Sequence, residues 1–537
     1  MKKIILIFVI FISCLGFSQE DAWVYFKNKP NSQYYFANPL QMLSQRALDR
    51  RIIQNIPLDL LDIPIHQAYI DQIAATSGIT VKAKSKWLNC LHIRGSQVDI
   101  QALTLLSFVN HVSFANRTLN VGGRFSNTIA FNSVNKVLET QASYNYGTSA
   151  NQIQMLNGHL LHQQNYSGIG KIIAVLDAGF PGVDVAQPFQ RLRYNSQILG
   201  GYNFVDRSSN FYAMNNHGTM VLSTMGGYAN NQLVGTAPDA YYYLFVTEDS
   251  SSENPLEESL WVEAAEMADN LGVDVINTSL GYFGYDNPNY SHTYSDMNGI
   301  TAFISRGANI AFSRGMVVVV SAGNSGSTAN VHIGAPADAI NVLTVGAVNS
   351  ARNYASFSSI GPSFDGRVKP DVMAQGLYAV VSNPSGTIMT NSGTSFSGPI
   401  IAGMVASFWQ AFPTFTNVQI VQFIKESADH FTNPNPQYGY GIPNFQLALT
   451  NALSGMQFHS DLISVYPNPV KEVVTFSIPT IGSSKEISIY NSLGQIVINQ
   501  SSLNQIQNIS LQSLESGIYF YKIAVANGTK IGKIIKE

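Results

Sequence analysis

Cysteine is nearly absent from this 537-residue chain, which has two. Neither can build a disulfide framework in an exported protein. Cys14 falls in a leader that is removed, and Cys90 is then left without a partner. Stability outside the cell must come from core burial or from bound ions. Charge is scarce too: Asp, Glu, Lys and Arg make up 12% of the chain, with 30 Lys and Arg against 33 Asp and Glu. With no basic excess, nucleic acid and anionic membrane are poor partners. Long apolar runs are missing beyond the first residues, so no later stretch is expected to cross a bilayer as a helix. The start differs. Met1-Lys2-Lys3 and the run 4–12 form a basic head and a short apolar core, and Gly16 and Ser18 have the small-residue spacing that a signal peptidase needs. A signal peptide over 1–18 is expected, cut after Ser18 or Gln19. Phe11 and Ile12 ahead of Ser13-Cys14 make a poor lipobox.

Hydrophobic residues reach 45%, enough for packed cores, and the length calls for two or three of them. Residues 20–120 read as a small α+β unit. Strands are expected at 22–26, 81–93 and 109–114, and helices at 39–54, 69–75 and 99–106. Arg46 and Arg50 fall one turn apart along the flank of the first helix. Residues 121–151 are rich in Asn, Ser, Thr and Gly and suit an exposed linker. Over 152–455 apolar strand runs alternate with helical segments, which predicts a doubly wound, mostly parallel sheet. From 463 to 537 short strands alternate with turns such as Asn491-Ser492-Leu493-Gly494, which predicts a small antiparallel β-sandwich.

The chemistry-bearing residues gather where parallel strands end, the place such sheets bind ligands. Asp177 ends the run 171–176. Ser279-Leu280-Gly281 closes a second strand, and Ser321-Ala322-Gly323-Asn324 a third. His217 opens a predicted helix in Asn216-His217-Gly218-Thr219. Ser395 stands at a loop-to-helix junction in Gly393-Thr394-Ser395-Phe396-Ser397-Gly398-Pro399. A serine there can offer its hydroxyl as a nucleophile and its N–H as an anion donor. A hydroxyl is a weak nucleophile near neutral pH and needs a base such as imidazole, itself oriented by a carboxylate. The Asp…His…Ser order is one of the known chain orders of that triad.

These motifs, in this order, resemble the subtilisin-like serine proteases over roughly residues 152–453. The carriers are Val175 to Gly179, His217-Gly218-Thr219, Ser321 to Asn324 and Gly393 to Pro399. The resemblance implies a secreted endopeptidase with Asp177, His217 and Ser395 as the triad and Asn324 as an oxyanion donor. Ser279, Leu280, Gly281, Ser321, Ala322 and Gly323 would bind the substrate backbone and wall a roomy, uncharged pocket for large apolar side chains. No cofactor is needed for that chemistry. Such proteases often bind calcium, for which Asp184, Asp206 and Asp338 are loose candidates without diagnostic spacing. Two positions depart from the pattern: Ala178 stands where Thr or Ser is usual, and Met220 where a second His is common. The first unit resembles an inhibitory propeptide. The last, with Tyr466-Pro467-Asn468-Pro469 and Leu514 to Tyr519, resembles a type IX secretion sorting domain, which implies that machinery as a partner and a released or surface-attached product. Two rivals stand beside this reading. One is a binding protein on an inactive scaffold, disfavoured by the intact triad. The other is an esterase pairing Ser395 with Asp429-His430, disfavoured because Gly393 to Ser397 lacks the closing glycine of a nucleophile elbow.

Overall fold

The computed structural model describes residues 19–120, 144–461, 464–477, 485–502, 506–525 and 528–537. The expected signal peptide and residues 121–143 of the expected linker lie outside them.

The N-terminal unit is a four-stranded antiparallel sheet of β1 (Gln19–Phe26), β2 (Ile79–Ser85), β3 (Cys90–Ser96) and β4 (Val109–Phe114), in the order β2-β3-β1-β4. Alternation along β1 sends Ala22, Val24 and Phe26 into the unit's own core and Trp23 to the opposite face. The helix expected at 39–54 is interrupted. Pro39–Gln41 forms a single 3₁₀ turn, the Ser44 hydroxyl accepts from the Ala47 N–H, and α1 (Gln45–Ile53) begins only there. The N-cap serine supplies the break. A second helix, α2 (Gln67–Ala74), covers the sheet.

The middle unit is a seven-stranded sheet with every pairing parallel: β5 (Ile172–Asp177), β6 (Ile198–Asn203), β7 (Tyr241–Val246), β8 (Val275–Thr278), β9 (Val317–Ser321), β10 (Leu343–Val348) and β11 (Val372–Gln375). The order β11-β10-β9-β8-β5-β7-β6 puts the first strand inside, with growth running outward to both sides. Helices α3 (His217–Gly226) and α6 (Thr394–Ala411) cover one face, where Ile173 and Val175 of β5 point. Helices α4 (Leu256–Leu271) and α5 (Phe303–Ser313) cover the other, with Ile172, Ala174 and Leu176. Burial on both faces is why these strands read as unbroken apolar runs.

The N-terminal sheet packs on α4 and α5. Trp23 stacks on Phe303 (centroids 4.9 Å apart), and its indole N–H donates to the Ser259 hydroxyl at 2.8 Å. The Glu266 carboxylate receives the Ser85 hydroxyl (2.6 Å) and the N–H groups of Lys86 and Trp87 (both 2.9 Å). Helix α1 reaches farther, to the end of α4. Arg50 and Arg51, 6% and 2% exposed, bind the two oxygens of the fully buried Asp269 at 2.5 and 2.8 Å.

The C-terminal residues form β12 (Ser464–Tyr466), β13 (Val473–Ser477), β14 (Lys485–Tyr490), β15 (Ile496–Ser502), β16 (Ile506–Ser510), β17 (Gly517–Val525) and β18 (Gly528–Lys536). Two antiparallel sheets, β12-β13-β16 and β15-β14-β17-β18, share one core around Val474, Phe476, Ile489 and Ile523.

Candidate active site

The carboxyl ends of β5, β8 and β9 converge on the first turn of α6. Asp177, the last residue of β5, is fully buried, and its Oδ1 accepts from the Ala178 N–H (2.8 Å) and from Nδ1 of His217 (2.7 Å). An ionised carboxylate can only accept, so this bond places a proton on Nδ1 and leaves Nε2 as the basic nitrogen. Ala178 offers no hydroxyl, and Asp177 Oδ2 is buried without a hydrogen-bond partner. Gly218 lets α3 begin this close to β5: a Cβ there would lie 2.5 Å from the Gly179 carbonyl oxygen and 3.0 Å from the Asp177 Cβ. The imidazole also faces Phe396, 6.0 Å between centroids, which puts it beside the first turn of α6. Burial works against the imidazolium. The Asp177 charge and hydrogen bond, with a smaller effect of the Glu248 charge, outweigh it, so His217 is held above its ordinary range.

Ser395 is the second residue of α6, and its position is set by the strand ends. Pro399 has no N–H to return to the Ser395 carbonyl four residues back. The Ser279 hydroxyl donates to that carbonyl instead, at 3.0 Å, while the Ser395 hydroxyl donates to the Ser279 carbonyl at 3.3 Å. The Ser321 hydroxyl holds the neighbouring Thr394 carbonyl at 2.8 Å. Gly398 makes room for it, since a Cβ there would lie 2.6 Å from Ser321 Oγ. Sequence reasoning assigned Ser279 and Ser321 to substrate alone, yet their side chains pin the helix that carries Ser395. Asn324 is oriented by the same turn. Its Oδ1 accepts the Thr394 N–H (2.9 Å) and hydroxyl (3.0 Å), which turns its NH₂ the other way.

Two backbone strips, 279–283 and 321–325, wall a cleft of about 170 Å³ beside Thr394 and Ser395. All six residues expected to bind substrate line it, together with Asn324. His332, Gly334 and Ser359 complete the wall, and no motif signalled them. Behind the wall, the Tyr282 hydroxyl donates to Glu248 at 2.6 Å. Burial, opposed by that bond and assisted by the Glu253 and Asp177 charges, pushes the Glu248 carboxyl up to about 8.

Asp429 and His430 form an exposed pair (2.8 Å), with the ring stacked on Tyr438, and neither lines the cleft. The three aspartates suggested for calcium do not converge. Asp338 is buried and spends its oxygens on the Gly299 N–H (2.7 Å) and the Ser305 hydroxyl (2.5 Å), Asp206 binds the Asn203 amide (3.1 Å), and Asp184 is exposed. Among the described residues, Glu248, Glu253 and Glu257 do bring one carboxylate oxygen each within 4.8 Å of one another.

Comparison with known proteins shows the family of the chain. Residues 168–441 match the Subtilase family, residues 21–132 a Peptidase S8 propeptide domain of Bacteroidota, and residues 464–537 a secretion system C-terminal sorting domain. Subtilisin NAT of Bacillus subtilis subsp. natto is 32% identical over 320 residues, covering 59% of this chain and 75% of that protein. Subtilisin E of Bacillus subtilis (strain 168) gives the same figures. Subtilisin of Bacillus pumilus is 32% identical over 299 residues, covering 55% of this chain and 97% of that one. The sorting domain marks a secreted or cell-surface protein, and among the described residues no helix is long and apolar enough to cross a membrane. With a parallel sheet whose strand ends carry Asp177, Asn324 and the serine-bearing helix, and with these matches over half its length, the chain belongs to the subtilase family of serine endopeptidases.

Proposed function

We propose that Asp177, His217 and Ser395 form the catalytic triad of this endopeptidase, with the Asn324 side-chain amide and the Ser395 N–H as its oxyanion hole. The observation that carries the reading is the 2.7 Å bond from His217 Nδ1 to the buried Asp177, because it leaves Nε2 free to act as the base. Nε2 takes the Ser395 proton as Oγ forms a bond to the scissile carbonyl carbon. The negative oxygen that develops needs donors already in place. The first-turn N–H of Ser395 and the Asn324 NH₂, held by Thr394, supply them. The imidazolium then gives its proton to the departing amine as the C–N bond breaks. A water attacks the acyl-enzyme by the same route and frees the acid. The Ser395 hydroxyl faces the Ser279 carbonyl in the free protein. Such nucleophile–base bonds often tighten only when substrate is bound. The substrate is an extended peptide paired with the strips 279–281 and 321–323. None of these steps calls for a cofactor. The N-terminal unit acts as a propeptide over the α4–α5 face, and the C-terminal β-sandwich addresses the protein to the secretion machinery.

Ser395→Ala tests the assignment. Wild-type chain should cleave peptides, react with a serine-directed phosphonate and shed an N-terminal fragment; the variant should fold and do none of these. Peptide hydrolysis retained by the variant refutes it.

A further inference from the structure

One arginine of the N-terminal unit is seated on a loop of the middle unit beside the cleft. Arg117 stands in the last turn of its unit, Arg117–Leu119, whose first N–H groups are capped by the Asn116 side chain. Its Nη2 donates to His292 Nδ1 at 2.6 Å, and its Nη1 pairs with Asp296 Oδ2. A guanidinium can only donate, so Nδ1 meets it with a lone pair. Two acceptors on one loop thus take two nitrogens of one planar fork.

Those acceptors are oriented by the middle unit, not by the arginine. His292 is 7% exposed, and its Nε2 faces Glu258 Oε1 at 2.8 Å. The same carboxylate receives the Tyr285 hydroxyl (2.6 Å) and the Ile304 N–H (2.9 Å). A carboxylate only accepts, which keeps the imidazole proton on Nε2 and leaves Nδ1 as the acceptor. Asp296, 8% exposed, is held by the N–H (2.6 Å) and the hydroxyl (2.8 Å) of Thr293. The loop itself is tied to the cleft wall at two points. The His292 N–H donates to the Phe283 carbonyl at 2.8 Å, and the Tyr294 ring lies on His332, 4.0 Å between centroids. Phe283 and His332 both line the cleft. Every group that fixes the two acceptors therefore stays with the protease when the N-terminal unit is lost, and a site supported in that way keeps its geometry.

We infer that His292 Nδ1 and Asp296 form a guanidinium-binding site beside the cleft, filled by Arg117 in the uncut chain and taken by an arginine of a protein substrate once the N-terminal unit has left. This rests on the proposed self-cleavage by Ser395. Lysine, a point charge, reaches one acceptor but cannot span both, and citrulline keeps the planar shape without the charge. The Arg117 side chain is 37% exposed, so solvent screens part of the attraction, and such a contact is worth about three- to thirtyfold in binding.

The test uses the full chain after self-processing, separated from the cut unit by size exclusion, and peptides that share one cleaved sequence. Arginine, lysine or citrulline is placed in turn at each position on either side of that sequence. The readout is the ratio of kcat/KM values within one enzyme, which is insensitive to the fraction folded. In wild type, arginine at one position should exceed citrulline about three- to thirtyfold, with lysine in between. Asp296→Asn should bring that ratio close to one. The absence of any preferred position in wild type overturns the inference, because the site then serves Arg117 alone. A preference that Asp296→Asn leaves unchanged also overturns it, as does lysine equal to arginine. If no peptide is cut and Ser395 takes no phosphonate, the triad assignment falls and the inference with it; cleavage without arginine preference sinks the inference alone. Should the Asn variant fail to fold, the three wild-type ratios still decide.

Discussion

Replacing Asp269 by Asn would show how much of the N-terminal unit's grip is electrostatic. Asp269 sits at the end of α4 with no exposed surface, while the side chains of Arg50 and Arg51, from α1, are 5% and 2% exposed. Burial alone would raise this carboxyl. Arg51 and Arg50 outweigh it, so the group is held below its ordinary 3.8. Asparagine keeps the shape and removes the charge. Two guanidinium groups would then share a buried site in which Arg51 keeps Asp62 at 2.9 Å and Arg50 keeps no direct ion pair, only the more distant charge of Asp274. Removing one partner of a buried ion pair costs about 3–5 kcal/mol, and burial leaves little solvent screening to discount it. Both arginines come from one unit and Asp269 from the other, so the loss falls on the contact between them. Urea unfolding of the uncleavable Ser395→Ala chain, followed by the fluorescence of interface residues Trp23 and Trp87, should show the N-terminal transition weakened by that amount. A loss under about 1 kcal/mol would refute the reasoning. Replacing Arg50, Arg51 and Asp269 together by apolar residues should recover most of the stability. The sign with pH follows from the lowered folded pKa. The contribution is present above 3.8, and it disappears as pH falls from there through the lowered value.

Four further outcomes are expected. Asn324→Ala should lower kcat about 10²–10³-fold with little change in KM, a range carried over from the corresponding donor in subtilisin itself; an equal rise in KM would make Asn324 a substrate-binding group instead. The His217 ring should titrate above 6.5 by NMR, with kcat/KM rising as pH climbs through that value because the base must be neutral. Asp177→Asn should bring the titration below 6.5, where burial acts without the opposing charge; an unmoved titration would mean Asp177 does not hold the ring. Ala178→Ser should give the orphaned Asp177 Oδ2 a donor and raise the thermal midpoint, by about 0.5–1.5 kcal/mol in stability, and a fall would show that the site has no room for the hydroxyl.

The parts of this protein legible in sequence are those in which one short segment carries its own physics. An apolar run ending in Asp177 announces a buried parallel strand and a polar group at its tip. A serine at a loop-to-helix junction announces a hydroxyl at a helix end, and Ser395 is the second residue of α6. What was not legible depends on partners far away in the chain. Arg50 read as a flank residue because Asp269, 219 positions on, cannot be foreseen from it. Ser279 read as cleft lining because its bond to the Ser395 carbonyl, from which Pro399 withholds an N–H, spans 116 residues. His332 and Ser359 enter the pocket from loops without periodicity or motif, and nothing local marks them. The break in the helix at 39–54 was readable in principle, since Ser44 is a good cap, but the apolar spacing of Leu40, Leu43 and Ala47 ran through it.

The central place of β5 also has a kinetic consequence. It is the first strand of its sheet to be synthesised, yet both neighbours, β7 and β8, come much later, and no hairpin can bring a parallel partner to it. Assembly must wait for long loops to close, the kind of contact that slows folding most. The N-terminal sheet is complete before any of this. Its Trp23 and Glu266-binding loop offer α4 a surface to dock on while the strands on either side of that helix are still finding β5. The same contact that covers the finished domain therefore shortens the search by which it forms.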